Sequence, residues 1–354
     1  MYQFVWQAVS ANHHNTAREA MNQKLTIHDV AARAGVSSGT VSNVINGSRE
    51  VSEARREKVV RAIQELGYLP NGLAQGLRRS RSRVVGLCVP DSSSSYFAAL
   101  IDTVEDIAAD QGYEVMQVLS RHSSGVEQNR VRALLSHRIA GLLMIPGLEP
   151  KTTFDLIAGT GTPAVILDRL WEDDRFDYVT IDNRAAMRDV VKALVERGHR
   201  RLVYVVSYPG LVTTRQRIET FEQTAREAAM PVATQILQRG ESEPVLAQRL
   251  ADALTGANPP TAIIASNSVV ALWTMRTLKS LGIRCPAQVS VVSFDEPEWA
   301  DLIEPTLSIV RQPIADVART GWNLLMSRII DRAAPRKHIE MKAELILRGS
   351  IGEC

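Results

Sequence analysis

The sequence predicts an α/β protein, in which an N-terminal helix-turn-helix head of three helices and a hinge precede a two-lobed core of doubly wound parallel sheets. Short helical patterns flank a glycine between residues 26 and 66, and strand patterns alternate with helical patterns from Val84 onward. Basic residues are concentrated ahead of Val84. Strand–helix alternation is typical of parallel sheets covered by helices, and about 270 residues suffice for two such lobes.

The first helix of the head begins at a capping pair. Thr26 is followed three residues later by Asp29, which is the spacing of a capping box. Ile27 and Val30 then open an apolar stripe at helical spacing. Gly35 is expected to end this helix, because glycine adopts the left-handed backbone of a helix terminus without strain.

The second helix is the one that would read DNA. It opens at Val36 and is expected to turn Val41, Val44 and Ile45 inward, which leaves a short polar outer face. Two helices joined by a tight glycine turn form the helix-turn-helix pattern. A third helix, from Ser52 to a stop at residues 67–71, would close the core. A small helical subdomain without a DNA partner is the alternative that these patterns leave open.

Charge favours the nucleic-acid interpretation. Residues 22–83 contain 11 Lys and Arg against 5 Asp and Glu, whereas the whole chain has a net charge of only +2. Residues after 83 are therefore net acidic. A basic segment joined to an acidic remainder is typical of a protein that contacts phosphates, with affinity that falls as salt rises. A merely solvated basic face is the alternative.

Residues 25–83 resemble the DNA-binding head and hinge of the lactose and purine repressor family of bacterial transcription regulators. The resemblance rests on three motifs in order, TIHDVAARAGVSSGTVSNVING, VSEARREKVVRAIQELGY and LPNGLAQGL. It extends over the remaining chain, where the family's core is similar to periplasmic sugar-binding proteins. The resemblance implies a cytoplasmic, homodimeric regulator that is not an enzyme, and it favours a repressor. Such a protein binds near-palindromic double-stranded operator DNA and a small-molecule effector. The absence of a long heptad run after Arg348 favours a dimer over a tetramer.

Side chains early on the second helix would reach base edges in the major groove. Asn43 is the strongest chemically, because its amide can pair bidentately with adenine; for Thr40, packing inside the head is the alternative. The resemblance implies that Leu77 wedges into a minor-groove step. The residues predicted to contact DNA are Thr26, Ser37, Ser38, Gly39, Thr40, Ser42, Asn43, Asn46, Asn71, Leu73, Ala74 and Leu77.

The expected organisation follows from these motifs. Residues 1–21 form a tail, disordered or preceding the natural start. The head spans 22–69, the hinge helix and linker 70–83, and the core 84–350. The resemblance implies a first lobe of about 84–182 plus 313–341 and a second lobe of about 183–312 plus 342–350.

Buried strands and intervening helices are predicted through the core. The strands are expected at 84–89, 114–119, 141–145, 164–167, 202–206, 262–265 and 289–294, and the helices between them include 96–111, 127–137, 185–197, 217–229 and 269–281.

Ligands of such folds bind at the carboxyl ends of the strands, between the lobes. Asp and Arg in a sheltered cleft suit sugar hydroxyls, because charged hydrogen bonds are the stronger kind. Asp182 and Asn183 are also expected at a strand end, one for which no bounds are predicted, but capping of the next helix is an equal alternative there. The residues predicted to bind the effector are Tyr96, Phe97, Asp168, Arg215, Arg217, Asn267, Ser268 and Asp295.

Two departures from the family bear on the effector. Asn267-Ser268 stands where many members have Asn-Asp, and Ser242 stands where an aromatic residue often stacks on the ligand. With a carboxylate and a stacking face both missing, a neutral hexose is disfavoured. Arg215 and Arg217 favour a sugar acid or a sugar phosphate, and a purine ranks lower.

Other function classes lack their signatures. No glycine-rich phosphate loop, nucleophile elbow or metal-ligand spacing is present, which indicates neither enzyme, cofactor nor metal. The three cysteines form no CxxC pair and suit a reducing cytoplasm. No stretch of about 20 apolar residues occurs. A periplasmic binding protein is the runner-up, and it would need a secretory signal that residues 1–21 do not resemble.

Overall fold

The structure is a computed structural model that describes residues 25–45, 51–68, 82–240 and 242–354. The chain divides into two compact units, residues 1–81 and residues 82–354. Five residues predicted to contact DNA lie outside the described residues: Asn46, Asn71, Leu73, Ala74 and Leu77.

The described part of the first unit contains three helices, α1 (Ile27–Ala34), α2 (Ser38–Ile45) and α3 (Glu53–Leu66). The backbone N–H and the hydroxyl of Thr26 both donate to the Asp29 carboxylate at 2.7 Å, which confirms the predicted capping pair. Gly35 and Gly67 end α1 and α3 with positive φ angles of 66° and 61°. The stops predicted at Gly35 and at residues 67–71 are both confirmed.

A small apolar cluster holds these three helices together. Val30, Val41 and Val59 contribute one fully buried side chain from each helix. Val44, predicted to face inward from α2, is buried with them, and Ile45 packs against the cluster partly buried. Because the inner face of α2 is used in this way, its polar residues are left on the other side.

The first sheet of the second unit has six parallel strands in the order β11-β5-β4-β3-β1-β2. Helices α4, α5, α6 and α11 belong to this lobe. The elements are β1 (Val84–Val89), α4 (Ser95–Asp110), β2 (Glu114–Leu119), α5 (Ser124–Ser136), β3 (Gly141–Met144), α6 (Lys151–Thr160), β4 (Ala164–Leu167), β5 (Asp177–Ile181), α11 (Ile314–Ile330) and β11 (His338–Met341).

The second sheet has the order β12-β10-β9-β8-β6-β7, and only the β12–β10 pairing is antiparallel. It carries helices α7 to α10. The elements are α7 (Asn183–Glu196), β6 (Arg201–Val206), α8 (Val212–Arg226), β7 (Ala233–Gln238), α9 (Glu243–Thr255), β8 (Ala262–Ala265), α10 (Ser268–Ser280), β9 (Ser290–Phe294), β10 (Ser308–Arg311) and β12 (Glu344–Ile346).

One predicted strand differs in its burial. Residues 114–119 were expected to be buried, but in β2 Glu114 is exposed and the other five residues are only half-buried. The reason is its place at the edge of the first sheet, where no further strand covers it. Its neighbour β1 is buried from Val85 to Val89, as a strand with partners on both sides should be.

The strand order creates two topological switch points, one at the carboxyl end of β1 and one at the carboxyl end of β6. The chain leaves β1 for β2 on one side and then for β3 on the other, and it leaves β6 for β7 and β8 in the same way. Such reversals open a crevice at the carboxyl ends of the strands. The chain passes between the sheets three times, at β5–α7, β10–α11 and β11–β12.

A buried ion pair fastens α11 to the first sheet. The Nε and Nη2 atoms of Arg328 donate to the two carboxylate oxygens of Asp177 on β5, each at 3.0 Å. The Asp177 carboxylate also accepts the backbone N–H of Lys337 at 2.8 Å, ahead of β11. Both charges are almost fully buried, so each depends on the other for compensation.

Candidate functional site

The outer face of α2 carries the residues predicted to read DNA. Ser37, Gly39 and Asn43 are exposed, whereas Ser38, Thr40 and Ser42 are half-buried. The Ser37 hydroxyl accepts the backbone N–H of Thr40 at 3.1 Å and lies 2.9 Å from the Thr40 hydroxyl, so it caps α2. The first turn of the helix is therefore held in a defined geometry.

Two of these positions have local features of their own. The Ser38 hydroxyl lies 3.0 Å from Nδ1 of His28 on α1, which ties the two helices together. Gly39 has open space around it, because a Cβ atom there would meet only Ser37 Oγ at 3.7 Å. Within the described residues, the amide of Asn43 has no hydrogen-bond partner and remains available.

The second unit contains a cavity of about 410 Å³ between its two sheets. Its walls are formed by segments that follow the carboxyl ends of strands in both sheets. Asp91 follows β1 and Asp168 follows β4 in the first sheet, whereas Tyr208, Asn267 and Asp295 follow β6, β8 and β9 in the second. Both topological switch points therefore open into one cavity, whose volume suits a small ligand.

Two aspartates from opposite sheets face this cavity with left-handed backbones. Asp168 has a φ of 64° and Asp295 a φ of 68°, a conformation that costs energy in a residue other than glycine. Burial raises the pKa of Asp295 to about 6, although the positive charge of Arg217 opposes the rise. Burial likewise raises the pKa of Asp168 against the charges of Arg169 and Arg217.

The surroundings of these carboxylates supply donors and one further buried hydroxyl. Gln312 Nε2 donates to Asp295 Oδ1 at 2.6 Å, and Arg169 Nε lies 3.7 Å from Asp168 Oδ2. The Tyr96 hydroxyl is buried beside the Asp168 carboxylate. Burial and the charge of Asp168 raise the pKa of Tyr96, so it stays protonated and can donate.

Arg217 is held firmly by residues of its own lobe. Its Nε donates to Asn183 Oδ1 at 2.7 Å, and its guanidinium carbon lies 4.0 Å from the centroid of the Phe294 ring. Stacking on an aromatic face leaves the in-plane N–H groups of the guanidinium to bind ligand oxygens.

Asp182 caps α7, because its Oδ1 accepts the Ala185 backbone N–H at 2.8 Å.

A column of stacked side chains forms a second wall of the cavity. The His122 ring stacks on Tyr208 with centroids 4.5 Å apart. The Arg239 guanidinium lies 5.6 Å from the Tyr208 centroid and 4.9 Å from the Trp273 centroid. His122 Nε2 lies 2.8 Å from Asp91 Oδ2. We call His122, Tyr208, Arg239 and Trp273 the aromatic–arginine column.

Six of the eight residues predicted to bind the effector line this cavity, and two do not. Arg215 is exposed on α8 and donates to the Gly210 carbonyl at 2.9 Å. Ser268 is buried as the first residue of α10, with its backbone N–H directed at the Asp295 carboxylate. The six at the cavity wall are Tyr96, Phe97, Asp168, Arg217, Asn267 and Asp295.

Asn267 already serves the fold. Its Oδ1 accepts the Val270 backbone N–H at 3.0 Å and thereby caps α10. Its Nδ2 donates to the Ser207 hydroxyl at 3.0 Å. A ligand contact would therefore have to share or replace these bonds.

The expectation that the cleft lacks a stacking face is wrong. Phe97, Tyr208 and Trp273 all line the cavity. Trp273 lies on α10, well away in sequence from Ser242, where the resemblance placed the missing aromatic residue. An aromatic ring that a ligand could stack on is thus supplied by α10 rather than by position 242.

Several cavity residues were not singled out from the sequence as effector contacts: Asp91, His122, Tyr208, Arg239, Trp273 and Gln312. The available signal for Asp91 and Tyr208 was their position two residues after predicted strands, whereas Gln312 follows β10, which was not predicted. Arg239 follows β7, a strand with exposed residues that hydrophobic patterning does not reveal.

In the part of the chain that the structure describes, no helix is long and apolar enough to cross a membrane. Within the same residues, no group of three His, Cys, Asp or Glu side chains is placed to hold a metal ion.

Comparisons with known proteins agree with both halves of this description. Residues 26–71 match the model for bacterial regulatory proteins of the lacI family. Residues 191–351 match the periplasmic binding protein-like domain. The first match covers the helix-turn-helix, and the second covers most of the lobe that contributes Arg217 and Asp295.

Relatives extend over nearly the whole chain. The HTH-type transcriptional repressor PurR of Vibrio parahaemolyticus is 31% identical over 328 residues, which are 92% of this chain and 98% of that protein. A lac repressor dimer bound to operator and an anti-inducer is 25% identical with a TM-score of 0.80, covering 93% of this chain and 99% of that one. The regulator CelR in complex with cellobiose is 28% identical with a TM-score of 0.65, covering 92% and 99%. The chain belongs to the lacI family of bacterial regulatory proteins and is a DNA-binding transcriptional regulator rather than an enzyme.

Proposed function

We propose that this regulator is a homodimeric repressor, which reads a near-palindromic operator with two heads and changes its operator affinity when a sugar or sugar derivative enters the core cavity. One observation carries the proposal. Charged and aromatic side chains from the strand ends of both sheets converge on a single cavity, in a chain whose other unit presents a helix-turn-helix. A ligand that touches both lobes changes the balance between their orientations.

On the DNA side, the residues of α2 divide into readers and supports. Asn43 is exposed and its amide is uncommitted within the described residues, so it suits bidentate pairing with adenine. The Ser38 hydroxyl lies within hydrogen-bond distance of His28, and the Thr40 hydroxyl within that of Ser37. These two residues therefore help to fix the position of α2 as much as they contact bases. Gly39 leaves room for close approach of a base or phosphate.

Phosphate contacts would come from the ends of the helices. Thr26 and Ser37 carry hydroxyls at the amino ends of α1 and α2, where backbone N–H groups also favour anions, and Ser42 carries one in the middle of α2. In the hinge, Asn71, Leu73, Ala74 and Leu77 are proposed DNA contacts on family resemblance. A Leu77 wedge would unstack one minor-groove step and allow the DNA to bend.

Dimerisation is proposed because a two-fold operator demands two heads. The similar lac repressor structure is a dimer bound to operator. Half-sites about one helical turn apart would place two α2 helices on one side of the DNA. Such a regulator acts in the cytoplasm, where its DNA lies.

On the effector side, Asp168, Asp295 and Arg217 provide the polar grip, and Tyr96 and Phe97 lie beside them. Cellobiose is the ligand of the similar CelR complex, which supports a carbohydrate here. We place the head at residues 22–69, the hinge at 70–83 and the core at 84–350. Coupling of about 1 to 3 kcal/mol between effector and operator would change DNA affinity about 5- to 150-fold.

The test starts without a known operator. The purified chain is incubated with a random duplex library, and bound DNA is sequenced after several rounds of selection. We expect a near-palindrome to be enriched, and Asn43→Ala should blur one position in each half-site. Recovery of sequences without two-fold symmetry would contradict the dimeric mode of binding.

A further inference from the structure

The charged groups of the cavity are unequally matched. Four arginines line it, Arg121, Arg169, Arg217 and Arg239, against three aspartates. Each aspartate has a partner among the described residues: Asp91 has His122 at 2.8 Å, Asp168 has Arg169 at 3.7 Å, and Asp295 has Gln312 at 2.6 Å. Among the described residues, the cavity therefore has one arginine more than it has aspartates, which is a surplus of positive charge.

Arg239 is where that surplus is most evident. Among the described residues no carboxylate lies within ion-pair distance of its guanidinium, and its Nε is buried without a hydrogen-bond partner. A buried N–H of a charged group costs free energy until an acceptor reaches it. Tyr208 and Trp273 lie near its guanidinium and hold it in the column. An acceptor in the guanidinium plane would remove the cost, and a carboxylate or phosphate fits that edge bidentately.

The rim beside this column adds a second cation. Arg121 is exposed and lines the same cavity, and Arg121 and His122 have consecutive left-handed backbones with φ of 53° and 54°. Asp91 accepts His122 at 2.8 Å and the backbone N–H of Ser93 at 2.9 Å. Burial alone would raise the pKa of Asp91, but these hydrogen bonds hold it well below its ordinary value. Asp91 is thus an ionised anchor for the column rather than a competitor for Arg239.

The other end of the cavity has the opposite character. Asp168 and Asp295 can accept hydrogen bonds from hydroxyl groups, and Arg217 can donate to them. Tyr96 adds a buried donor between these carboxylates. This end suits a polyol, and the column end suits an anion.

We propose that the effector is an anionic carbohydrate, whose carboxylate or phosphate is bound by Arg239 with Arg121 at the rim, while its hydroxyls are bound by Asp168, Asp295 and Arg217. The proposal rests on the proposed function in one respect, that this cavity holds the effector. It adds the charge of the ligand and its orientation.

The experiment does not require the ligand to be known. Small molecules extracted from cells that naturally express the chain are divided on an anion-exchange resin at neutral pH. Each fraction is added to the purified full-length protein with its selected operator, and operator affinity is measured by fluorescence anisotropy. We expect the activity in the retained fraction. Alkaline phosphatase treatment then distinguishes two kinds of ligand. A phosphorylated ligand should lose its activity, whereas a carboxylate should keep it.

Variants connect the activity to Arg239. Arg239→Gln should shift the concentration dependence of the retained fraction by about 10- to 100-fold, the value of a charged hydrogen-bonded contact, and Arg239→Lys should recover part of it. Arg276→Gln is the matched control, because Arg276 is exposed on α10 and pairs with Glu243 at 3.1 Å outside the cavity. An equal shift in this control would contradict a specific role for Arg239.

The possible outcomes distinguish a failure of the anionic-ligand proposal from a failure of effector control. Activity in the unretained fraction, from a neutral sugar or a purine base, would overturn the anionic ligand while leaving effector control intact. Activity in the retained fraction that Arg239→Gln leaves unchanged would overturn the assigned anion site. Operator binding that no fraction alters would overturn effector control, and with it the inference.

Discussion

Replacing Asp295 by asparagine should make the core more stable at neutral pH while impairing its response to the effector. Asp295 is 9% exposed, and burial raises its pKa to about 6 from an ordinary value of 3.8, with Arg217 opposing the rise. Its ionised form is therefore less favourable in the folded core than in the unfolded chain. Asparagine has the shape of the neutral acid and its oxygen can still accept from Gln312.

The magnitude follows from those two pKa values. Their separation corresponds to about 3 kcal/mol as an upper bound. Below about pH 4 the group is neutral in both states and the full stability is present. As pH rises through 6, the carboxylate ionises in the folded core and this stability is lost. The variant should therefore equal the wild type at pH 4 and exceed it by up to about 3 kcal/mol at pH 7.

Tryptophan fluorescence can follow the unfolding of the core, because Trp171, Trp273, Trp299 and Trp322 all lie in the second unit. The midpoint of thermal unfolding at pH 7 should rise by about 5 to 10 °C in Asp295→Asn. Asp301→Asn, at an exposed carboxylate of the same lobe, is the control and should have little effect. A variant that is no more stable than the wild type at pH 7, or whose difference from it does not change between pH 4 and 7, would refute this reasoning.

Four further predictions concern the two sites and the buried ion pair. Asn43→Ala should cost about 1 to 3 kcal/mol of selectivity at one base position in each half-site, measured with operators substituted there; unchanged selectivity would remove it from readout. Leu77→Ala should weaken operator binding far more than binding to random DNA, and equal losses in the two titrations would exclude a wedge. Arg217→Ala should abolish the effector response while leaving operator affinity intact, so a normal response would move the ligand site elsewhere. Arg328→Met should leave Asp177 as an uncompensated buried charge and destabilise the core by about 3 to 5 kcal/mol in chemical denaturation; a loss below 1 kcal/mol would contradict the role of the pair.

Much of the fold was predictable because its signals are local. The capping pair at Thr26 and the glycine stops at Gly35 and Gly67 depend on a few neighbouring residues, and all three are confirmed. Central strands such as β1, β4 and β8 are continuous apolar runs, and their predicted bounds match the structure. Short-range chemistry and burial thus determine these elements.

Among the strands that were missed, β10 is mostly buried, whereas β7, β11 and β12 depend on distant partners. β7 is largely exposed at the edge of its sheet, and β11 and β12 are short segments that become strands only by pairing with β5 and β10. Their residues carry little apolar periodicity. The local sequence therefore does not predict these strands, which form because neighbouring strands of the sheet pair with them.

The candidate site shows the same division. Residues that directly follow a strand, such as Asp168 and Asp295, could be nominated from order alone. The column of His122, Tyr208, Arg239 and Trp273 could not, since it unites four segments from two lobes. Arg215 shows the converse limit: it lies two residues from Arg217 but points along another face of α8 and binds the Gly210 carbonyl instead.

The most direct test of the account is the affinity of the purified full-length chain for its selected operator and for random DNA, each with and without the anionic metabolite fraction. We expect tight operator binding that weakens steeply with salt, and that fraction should change the operator affinity by about 5- to 150-fold. Operator binding no tighter than binding to random DNA, or an operator affinity that no metabolite fraction changes, would contradict a ligand-controlled regulator.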